Sequence, residues 1–456
     1  MAEMSGDHTG TEQARASSRI QASIVAKRQG AQLPAADIRG VVDDYVNGRV
    51  PDHQMAAWLA TIACRGLDLA ELTELTDAYV SGGERLHLGR LGRVVLDKHS
   101  TGGVGDKVSL VVAPIVAACG VAVVKMSGRG LGHAGGTIDK LEAIPGIRLD
   151  LGPDDIYALV ERVGMTIVSQ SPALAPGDGA TYALRDVTGT VESIPLIAAS
   201  IVSKKVAVGA SGLVLDVKTG AGALIPDRSE AGLLAETMLR LARQFGLTCG
   251  AVLSDMSQPL GRAVGNALEI KETLSFLRGE QVPGLWEACS VLARLLLQSA
   301  DPALCDADAD ARIAKAVAGG AAHERFLEWA SAQGADRRVL ERPELLPGAK
   351  HVVPIIADRA GWVSDVAPRA VGMASVHVGA GRLAHRAPLD HGSGVWVNSH
   401  VGSRVEAGQT LAELHYNGGD HDLAVDLLTR AFTISDEPVQ APQMIHQIYP
   451  SHGPVD

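Results

Sequence analysis

The sequence predicts an α/β protein in which a small, discontinuous all-helical domain accompanies a larger domain built on a mostly parallel sheet. Three observations support this fold class. Glycine is frequent, with 51 residues in a chain of 456, whereas aromatic residues make up only 3%. Short apolar runs alternate with helical stretches, as in proteins whose parallel strands are covered by helices. Gly-rich segments follow several of these runs, at the positions where such sheets bind ligands.

The composition excludes several kinds of partner. The formal net charge of -11 argues against nucleic acid, because binding a polyanion requires a basic face. No apolar run approaches the length of a membrane span, and we expect no secretory signal, because the first residues lack an apolar core. The five cysteines are widely spaced and form no CxxC pair, which predicts a reduced, cytoplasmic protein without a metal site.

The N-terminal part of the chain predicts helices. Residues 1–18 are small and polar, and we expect a disordered tail there. Residues 19–84 predict the first part of the helical domain, since DIRGVVDDYVNG and MAAWLATIACRG carry apolar residues at helical spacing. Each of these two segments ends in a Gly-containing stop.

Strand–loop–helix units follow and predict the α/β domain over residues 85–176 and 209–345. The clearest units are RVVLDKHSTGGVGD, AVVKMSGRGLGHAGGTIDKLEAI and GLVLDVKTGAGALIPD. Residues 177–208, which separate the two parts, have a helical pattern. We assign them to the helical domain, which makes that domain discontinuous.

The last part of the chain, residues 346–456, has short strands with Gly turns. This pattern is typical of the β-rich hammerhead of lipoyl and biotinyl carriers, and it predicts a hammerhead-like C-terminal α/β subdomain. A carrier needs a lysine to modify, and no lysine follows Lys350. The sequence therefore favours a structural or oligomer-supporting subdomain over a carrier.

The segment Asp97–Ser109 joins a strand end, a Gly-rich turn and the start of a helix. Backbone N–H groups and the helix dipole favour an anion at such a junction. The imidazole of His99 can transfer a proton near neutral pH. The segment therefore indicates chemistry with phosphate. Its other polar side chains include Lys98, Ser100, Thr101 and Ser109.

A second Gly-rich segment, Ser127–Glu142, also follows a strand and precedes a helix. Its Ser127 and Thr137 offer hydroxyl donors to the same anion. One Gly-rich loop is as often a plain turn as a ligand site, but two at strand ends favour binding.

Two other polar residues of the second segment are assigned structural roles. His133 has no partner that the sequence reveals. Arg129 is expected to form a buried ion pair with Asp139 or Glu142.

Arg185, Ser200 and Lys204 form a third group. Ser200 and Lys204 are four residues apart, so they share one helical face. Lys204 closes a very apolar segment, and its side chain could simply extend to solvent. Alternatively, the three side chains could bind a flat heterocycle and stabilise negative charge that develops on it. The residues alone leave both alternatives open.

Taken together, these motifs resemble the type II pyrimidine nucleoside phosphorylases, the family that includes thymidine phosphorylase. The resemblance covers nearly the whole chain after residue 18. It is carried, in order, by DKHSTGGVGD, SGRGLGHAGGTIDKLE, YALRDVT and SIPLIAASIVSKK. It implies a helical and an α/β domain with a cleft that closes by domain rotation, and a homodimer.

The resemblance also implies a reaction and its residues. Phosphate would attack the anomeric carbon of a pyrimidine nucleoside and invert it, giving the base and α-pentose-1-phosphate. The implied catalytic residues are His99, Arg185 and Lys204. The implied phosphate contacts are Lys98, Ser100, Ser109, Ser127 and Thr137. The implied base contacts are Arg185, Ser200, Lys204, Tyr182 and Leu131.

Several positions depart from the family pattern. Leu224 stands where a phenylalanine is common beside the base, which implies a roomier pocket. Lys125 is typical of members that accept uridine as well as thymidine. Lys107 stands where some members ligate a monovalent cation together with a glutamate that aligns with Glu272, and its ammonium could replace that ion by pairing with Glu272. We therefore expect no metal and no cofactor.

Three alternatives remain beside a broad pyrimidine-nucleoside phosphorylase. One is a phosphorylase restricted to thymidine. Another is a related enzyme that handles phosphoribosyl groups, such as an anthranilate phosphoribosyltransferase, although the histidine and spacing of HSTGGVGD favour the phosphorylases. The third is a protein of the same fold that binds nucleosides without catalysis. Release of free base from a nucleoside would discriminate among them.

Overall fold

The computed structural model describes residues 6–130, 132–171, 173–383 and 387–452, with side chains described from residue 11 onward. Within them, a group of helices precedes a six-stranded sheet that is covered by further helices, and two smaller sheets follow. The predicted fold class is confirmed. The site residues lie where the helices meet the carboxyl ends of the central strands.

The N-terminal helices are amphipathic and share one apolar core. Helix α4 begins with a capping box, in which the Asp68 side chain accepts from the Glu71 backbone and the Glu71 side chain accepts from the Asp68 backbone. Two later helices, α8 and α9, pack against this group. The bounds of the six helices are Gly6–Arg28 (α1), Ala35–Val46 (α2), Asp52–Arg65 (α3), Leu69–Val80 (α4), Pro176–Thr188 (α8) and Ile194–Val208 (α9).

The prediction of a disordered tail is wrong for residues 6–18. Helix α1 begins at Gly6, and Ala16 and Ile20, one helical turn apart, are both buried in the helical core. Ser17 accepts a hydrogen bond from Gln54 of α3 at 2.8 Å. The polar composition hides this contact because only one narrow stripe of the helix is apolar.

The central sheet has the strand order β13-β5-β4-β1-β2-β3. Strands β1 to β5 run parallel, and β13 adds to the β5 edge in the antiparallel direction. In the centre, Lys98 of β1 lies opposite Val214 of β4, and Ser100 lies opposite Asp216. The strand bounds are Val95–Ser100 (β1), Ala122–Ser127 (β2), Met165–Ser169 (β3), Gly212–Thr219 (β4), Thr248–Asp255 (β5) and Ile445–Tyr449 (β13).

Helices cover both faces of this sheet. Apolar residues of α5, α11, α12 and α14 form the largest core on one face, while α9 and α10 pack on the other. The bounds are Val108–Ala118 (α5), Thr137–Leu141 (α6), Pro153–Val163 (α7), Arg228–Gln244 (α10), Asn266–Leu277 (α11), Leu285–Ala300 (α12), Asp306–Ala318 (α13), Ala321–Ala332 (α14) and Arg337–Glu341 (α15). Short 3₁₀ helices span Leu88–Leu91 and Pro343–Leu345.

The C-terminal residues form two small sheets, ordered β10-β8-β12 and β6-β9-β11-β7. They do not form a separate unit, because β6 comes from the preceding α/β segment and β13 returns to the central sheet. The bounds are Ala263–Val264 (β6), His351–Ile356 (β7), Gly361–Val366 (β8), Pro368–His377 (α16), Gly394–Val397 (β9), Arg404–Val405 (β10), Thr410–Tyr416 (β11), His421–Ala431 (α17) and Phe432–Ser435 (β12).

Candidate active site

Strand β1 places four polar side chains on two opposite faces of the sheet. Side chains alternate along a strand, so Asp97 and His99 share one face while Lys98 and Ser100 share the other. On the first face, Lys205 of α9 donates to Asp97 Oδ2 at 2.8 Å. The second face looks toward α5. The predicted proton-transfer residue and the predicted phosphate lysine are therefore neighbours in sequence on different surfaces.

A chain of buried charges holds Lys98. Its Nζ donates to Asp216 Oδ2 at 3.0 Å and lies 3.4 Å from Ser109 Oγ. Asp216 also contacts Lys218 Nζ at 2.9 Å and accepts from Ser254 Oγ at 2.6 Å. Burial raises the pKa of Asp216, but the positive charges of Lys218 and Lys98 together lower it by more, so the net shift is downward. Asp216 thus stays ionised and fixes the Lys98 ammonium beside the start of α5.

The first Gly-rich loop closes over this ammonium. Ser100 Oγ donates to Asp106 Oδ2, and Lys140 Nζ donates to the Asp106 carbonyl at 2.6 Å. Gly102 and Gly105 both have positive φ angles, 88° and 73°. A Cβ atom at Gly105 would lie only 2.6 Å from the Leu260 carbonyl oxygen, so this position requires glycine.

Two buried ion pairs join helix α11 to the end of the first Gly-rich loop and to helix α6. Lys107 Nζ lies 2.8 Å from Glu272 Oε2 and donates to the Leu260 carbonyl at 2.8 Å. One turn away on α11, Glu269 lies 2.7 Å from Lys140 Nζ. The pairing of Lys107 with Glu272 that the sequence suggested is therefore present. Among the described residues, no three His, Cys, Asp or Glu side chains are grouped so that they could hold a metal ion.

The second Gly-rich loop brings its hydroxyl residues to the neighbouring strand end. Ser127 is buried at the end of β2, and Thr137 is half-buried at the start of α6. The loop turns back on itself, because Asp139 Oδ2 accepts from the Gly130 backbone at 2.6 Å. Leu131, a predicted base contact, lies outside the described residues.

Arg129 forms the predicted ion pair, but the pair is not buried. Its Nη1 lies 2.6 Å from Glu142 and 3.8 Å from Asp139, while 53% of its side chain is exposed. The Asp139 carboxylate instead pairs with Arg382, a largely buried residue of the C-terminal part. The expectation of a buried Arg129 pair is therefore wrong in its burial, because Arg382 occupies the interior position.

Arg185 lies at the end of α8 and is almost completely buried. Its Nε, Nη1 and Nη2 donate to the carbonyls of Thr190, Leu196 and Val191 at 3.2, 3.0 and 2.8 Å. These bonds use three of its five N–H donors and fix the connection between α8 and α9. Two donors remain for a ligand.

The predicted base-binding residues converge around Tyr182. The Arg185 guanidinium carbon lies 6.0 Å from the ring centroid, and Lys204 Nζ lies 5.7 Å from it. Lys204 Nζ also donates to Ser200 Oγ at 2.8 Å. Tyr182 itself is 48% exposed, so the group faces open space. Lys204 does not extend freely to solvent, since its side chain is only 16% exposed.

Sequence reasoning missed Asp178, whose carboxylate contacts the Lys204 ammonium. Asp178 is fully buried on α8. A signal did exist, because Asp178, Tyr182 and Arg185 are spaced by four and three residues and so share one helical face. We did not predict that this face continues to the start of the helix.

His99 follows Lys98 on β1 and faces the α9 side of the sheet together with Asp97. Burial lowers the pKa of His99 well below its ordinary value, and so do the positive charges of Lys205, Lys125, Lys204 and Lys98. Its Nδ1 is buried without a hydrogen-bond partner in the described part of the chain. The imidazole is therefore neutral near pH 7, and one of its nitrogens is free to bind a ligand.

The two predicted specificity residues have different surroundings. Lys125 Nζ donates to the Met126 carbonyl at 3.1 Å, the same oxygen that lies 3.3 Å from Lys205 Nζ. Burial, together with Lys205, lowers the pKa of Lys125 well below its ordinary value. Leu224 is half-buried and joins the apolar cluster that contains α9.

Across the ranges that the structure describes, no helix is both long and apolar enough to cross a membrane.

Family models match most of the chain. Residues 21–83 match the helical bundle domain of a glycosyl transferase family, and residues 92–323 match the α/β domain of the same family. Residues 362–435 match the pyrimidine nucleoside phosphorylase C-terminal domain.

Individual proteins agree with these matches. The chain is 43% identical over 423 residues to a pyrimidine-nucleoside phosphorylase of Geobacillus stearothermophilus, a match that covers 93% of this chain and 98% of the relative. It is also 43% identical over 425 residues to one of Staphylococcus aureus, with the same coverage. The anthranilate phosphoribosyltransferase of Thermus thermophilus shares the fold, with a TM-score of 0.55 over 68% of this chain and 99% of that one, at 19% identity. The chain therefore belongs to the pyrimidine-nucleoside phosphorylase family and is an enzyme of the pentosyltransferase class.

Proposed function

We propose that the protein catalyses the reversible phosphorolysis of pyrimidine nucleosides to the free base and α-pentose-1-phosphate. One observation carries this proposal. Adjacent residues of β1 face opposite sides of the sheet, Lys98 toward Ser109 of α5 and His99 toward α9, the helix that carries Lys204. Lys98 stands beside an anion cradle, and Lys204 stands in a group suited to a flat heterocycle. This arrangement suits two substrates that meet beside one proton-carrying side chain.

The phosphate would bind at the Lys98 face. Lys98 and Ser100 of β1 and Ser109 of α5 would contact it from the first loop, and Ser127 and Thr137 from the two ends of the second. Ser100 Oγ now donates to Asp106, so its hydroxyl would exchange that bond for one to phosphate. The carboxylates of Asp216 and Asp106 neutralise the surrounding lysines. The cradle can therefore bind a dianion without carrying a large excess of positive charge in the free protein.

The base would bind at the Lys204 face. Lys204 and Arg185 bring positive charge to the position where the leaving base gains electrons, which stabilises the transition state more than the ground state. His99, a neutral imidazole near pH 7, would hydrogen-bond the base as it departs. Closure of the cleft would exclude water that otherwise hydrolyses the sugar bond.

We propose that the enzyme accepts uridine and deoxyuridine as well as thymidine. Lys125 supports this specificity, because its amine lies near His99, where the sugar must lie between phosphate and base. An amine there can bond to a ribose hydroxyl that deoxyribose lacks. Leu224 leaves more room beside the base than a phenylalanine would.

We propose that the enzyme acts without a monovalent cation at Glu272. The Lys107 ammonium already bonds to Glu272 and to the Leu260 carbonyl, the kinds of ligand that would hold such an ion. A second positive charge does not fit there.

We propose a cytoplasmic homodimer. The five cysteines are free thiols, as expected in a reducing compartment. Exposed apolar side chains on α1, α2 and α4, namely Val25, Val46 and Leu69, offer a surface on the helical domain. Sedimentation of the pure protein at micromolar concentration would give the mass of a dimer, and the mass of a monomer would refute this part.

The purified protein tests the activity directly. With phosphate and uridine or thymidine, we expect free base to appear in an ultraviolet assay, and we expect no release when phosphate is omitted. Absence of base from uridine, thymidine and deoxyuridine would favour the non-catalytic alternative. Activity that required magnesium and a diphosphate sugar donor would favour a phosphoribosyltransferase. Activity on thymidine alone would favour the restricted phosphorylase.

A further inference from the structure

Lys204 is held by three acceptors in the free protein. Its ammonium donates to the Ser200 carbonyl at 2.9 Å and to Ser200 Oγ at 2.8 Å, and it contacts the Asp178 carboxylate. An ammonium has three N–H donors, so all of them are in use. A base that binds to Lys204 must displace one acceptor. The Ser200 hydroxyl is the one that can rotate away, whereas the carbonyl and the carboxylate are fixed.

Asp178 is the only carboxylate, among the described residues, that forms an ion pair with Lys204. None of its side chain is exposed, and neither carboxylate oxygen has a regular hydrogen bond in that part of the chain. The nearby Tyr79 hydroxyl is likewise buried without such a bond. A buried carboxylate normally gathers several hydrogen bonds. Here its contact with one ammonium replaces them.

We propose that Asp178 is a positioning residue for the reaction, which keeps the Lys204 ammonium charged and directed at the pyrimidine while Ser200 releases it. This inference rests on the proposed function and names a residue that the site resemblance does not include. When the base departs with negative charge, a protonated Lys204 stabilises it and a neutral amine does not.

The charges around Lys204 explain why it needs a counter-ion. Burial lowers the pKa of Lys204, and Lys205 and Arg185 lower it further, whereas Asp178 raises it. Without Asp178, burial and the two neighbouring cations favour loss of the proton, and no carboxylate opposes them. The wild-type ammonium therefore persists to a higher pH than it would in an Asp178→Asn variant.

The other groups that face this pair keep a constant charge between pH 6 and 9. Burial raises the pKa of Tyr182 and raises that of Tyr79 to about 12, so both phenols stay neutral. Arg185 remains a cation. His99 is already neutral above its lowered pKa. Lys125, whose pKa is also lowered, is present in wild type and variants alike, so the ratio of variant to wild-type activity on the alkaline side reports on Lys204.

The test compares Asp178→Asn with Asp178→Glu in the full-length protein. We expect kcat/KM for uridine in Asp178→Asn to lie within about threefold of the wild type at pH 6 and to fall at least tenfold below it at pH 9, since a group that loses its proton costs tenfold per pH unit. Asp178→Glu retains the carboxylate and should restore most of the alkaline activity.

The matched control is Asp186→Asn, the same change on an exposed residue two turns further along α8. It should leave the pH profile unchanged. A deficit of Asp178→Asn that is equal at all pH values, or a similar shift in Asp186→Asn, would overturn the inference.

A binding measurement separates this inference from the proposed function. Calorimetric titration with uracil at pH 6 and pH 8.5 needs no turnover. We expect the ratio of wild-type to Asp178→Asn affinity for uracil to rise with pH. The ratio of wild-type to Asp178→Glu affinity should stay constant, and it remains measurable if Asp178→Asn folds poorly. Uracil binding with this pattern in a protein without phosphorolysis would refute the activity alone. Active wild-type protein with a flat Asp178→Asn ratio would refute the role of Asp178 alone.

Discussion

At the scale of single residues, Lys98, the proposed phosphate contact, is a buried charge whose counter-ion has a second partner. Its ammonium bonds to Asp216, which Lys218 also neutralises. Removal of Lys98 therefore leaves Asp216 paired, and the fold should survive. The variant Lys98→Ala thus isolates the contribution of one ammonium to phosphate binding.

We expect Lys98→Ala to lower kcat/KM for phosphate about 10- to 150-fold, which corresponds to about 1.5–3 kcal/mol for a hydrogen bond to a charged group. Steady-state kinetics with varied phosphate would measure this. Lys315→Ala, on the exposed face of α13, serves as the control. Equal activity of the two variants would contradict the assignment of Lys98.

Lys125 has the opposite character, because it is a buried amine that forms no ion pair among the described residues and bonds to one carbonyl. We expect Lys125→Met to lower the ratio of uridine to thymidine activity about 5- to 10-fold, the value of one lost hydrogen bond to the ribose. Parallel assays on the two nucleosides would give the ratio.

The same variant should be more stable than the wild type, since the methionine needs no proton and no solvation. The lowered pKa of Lys125 means that the unfolded chain binds its proton more tightly below pH 10.5, so wild-type stability rises with pH in that window. The gain in melting temperature should therefore be larger at pH 7 than at pH 9. An unchanged substrate ratio would contradict the specificity role but not the stability argument.

At the scale of elements, the first Gly-rich loop depends on close packing against the segment before β6. Gly102 and Gly105 share positive φ angles, but only Gly105 has backbone oxygens within contact distance of a Cβ atom. Alanine costs about 1 kcal/mol at either position for its φ alone. Only the Gly105 substitution also displaces the loop.

We therefore expect Gly105→Ala to raise KM for phosphate at least tenfold and Gly102→Ala to change it less than threefold. Each substitution adds one methyl group at a left-handed residue, so the comparison isolates the contact with Leu260. Kinetics and melting temperatures of both variants would decide, and a similar KM in the two would show that the loop has room to move.

Helix α11 is the second element on which the site depends. Glu272 holds Lys107 with both groups almost fully buried. We expect Glu272→Gln to destabilise the protein by about 3–5 kcal/mol, because it leaves a buried ammonium without its carboxylate. Chemical denaturation would measure the loss.

Glu280→Gln is the comparison for that experiment, since Glu280 pairs with Arg262 at 2.8 Å but is 48% exposed. Such surface pairs contribute about 0–1 kcal/mol. A loss as small in Glu272→Gln as in Glu280→Gln would mean that water reaches the Lys107 site.

At the scale of the whole molecule, the last strand ties the C-terminal part to the central sheet. Strand β13 pairs with β5, and Ser451 accepts from Ser299 of α12 at 2.6 Å. Removal of residues 441–456 would uncover the β5 edge, a site for intermolecular pairing. We expect that truncation to yield aggregated or poorly soluble protein.

Removal of residues 453–456 alone keeps β13 and Ser451, and it should leave solubility and melting temperature unchanged. Size-exclusion chromatography of the two truncations would compare them. A monodisperse, stable product from the longer truncation would show that β13 is dispensable.

How much of the fold the sequence predicts depends on how far apart the interacting residues lie along the chain. The strand–loop–helix units around Lys98 and Ser127 were predictable, because Gly-rich turns and apolar runs are local. The positions of β13 and β6 were not, because partners far away in the chain determine strand pairing. The part of helix α1 up to residue 18 was missed because it contacts α3, which lies far along the chain.

The candidate site shows the same division. The spacing of Ser200 and Lys204 revealed their common face. The backbone bonds of Arg185 and the ion pair of Asp178 depend on how α8 meets α9, which no local pattern encodes. The inner partner of Asp139 comes from Arg382, more than two hundred residues away.

The alternation along β1 has a consequence for how this enzyme can vary. In the proposed reaction, adjacent residues of one short strand contact phosphate and base, so a shift of one position would send Lys98 to the base side and His99 to the phosphate side. Point substitutions in β1 alter the strength of one contact. An insertion or deletion there would exchange the two half-sites completely. Differences in length that leave the enzyme active must therefore lie in the loops, because β1 determines which residue faces each proposed half-site.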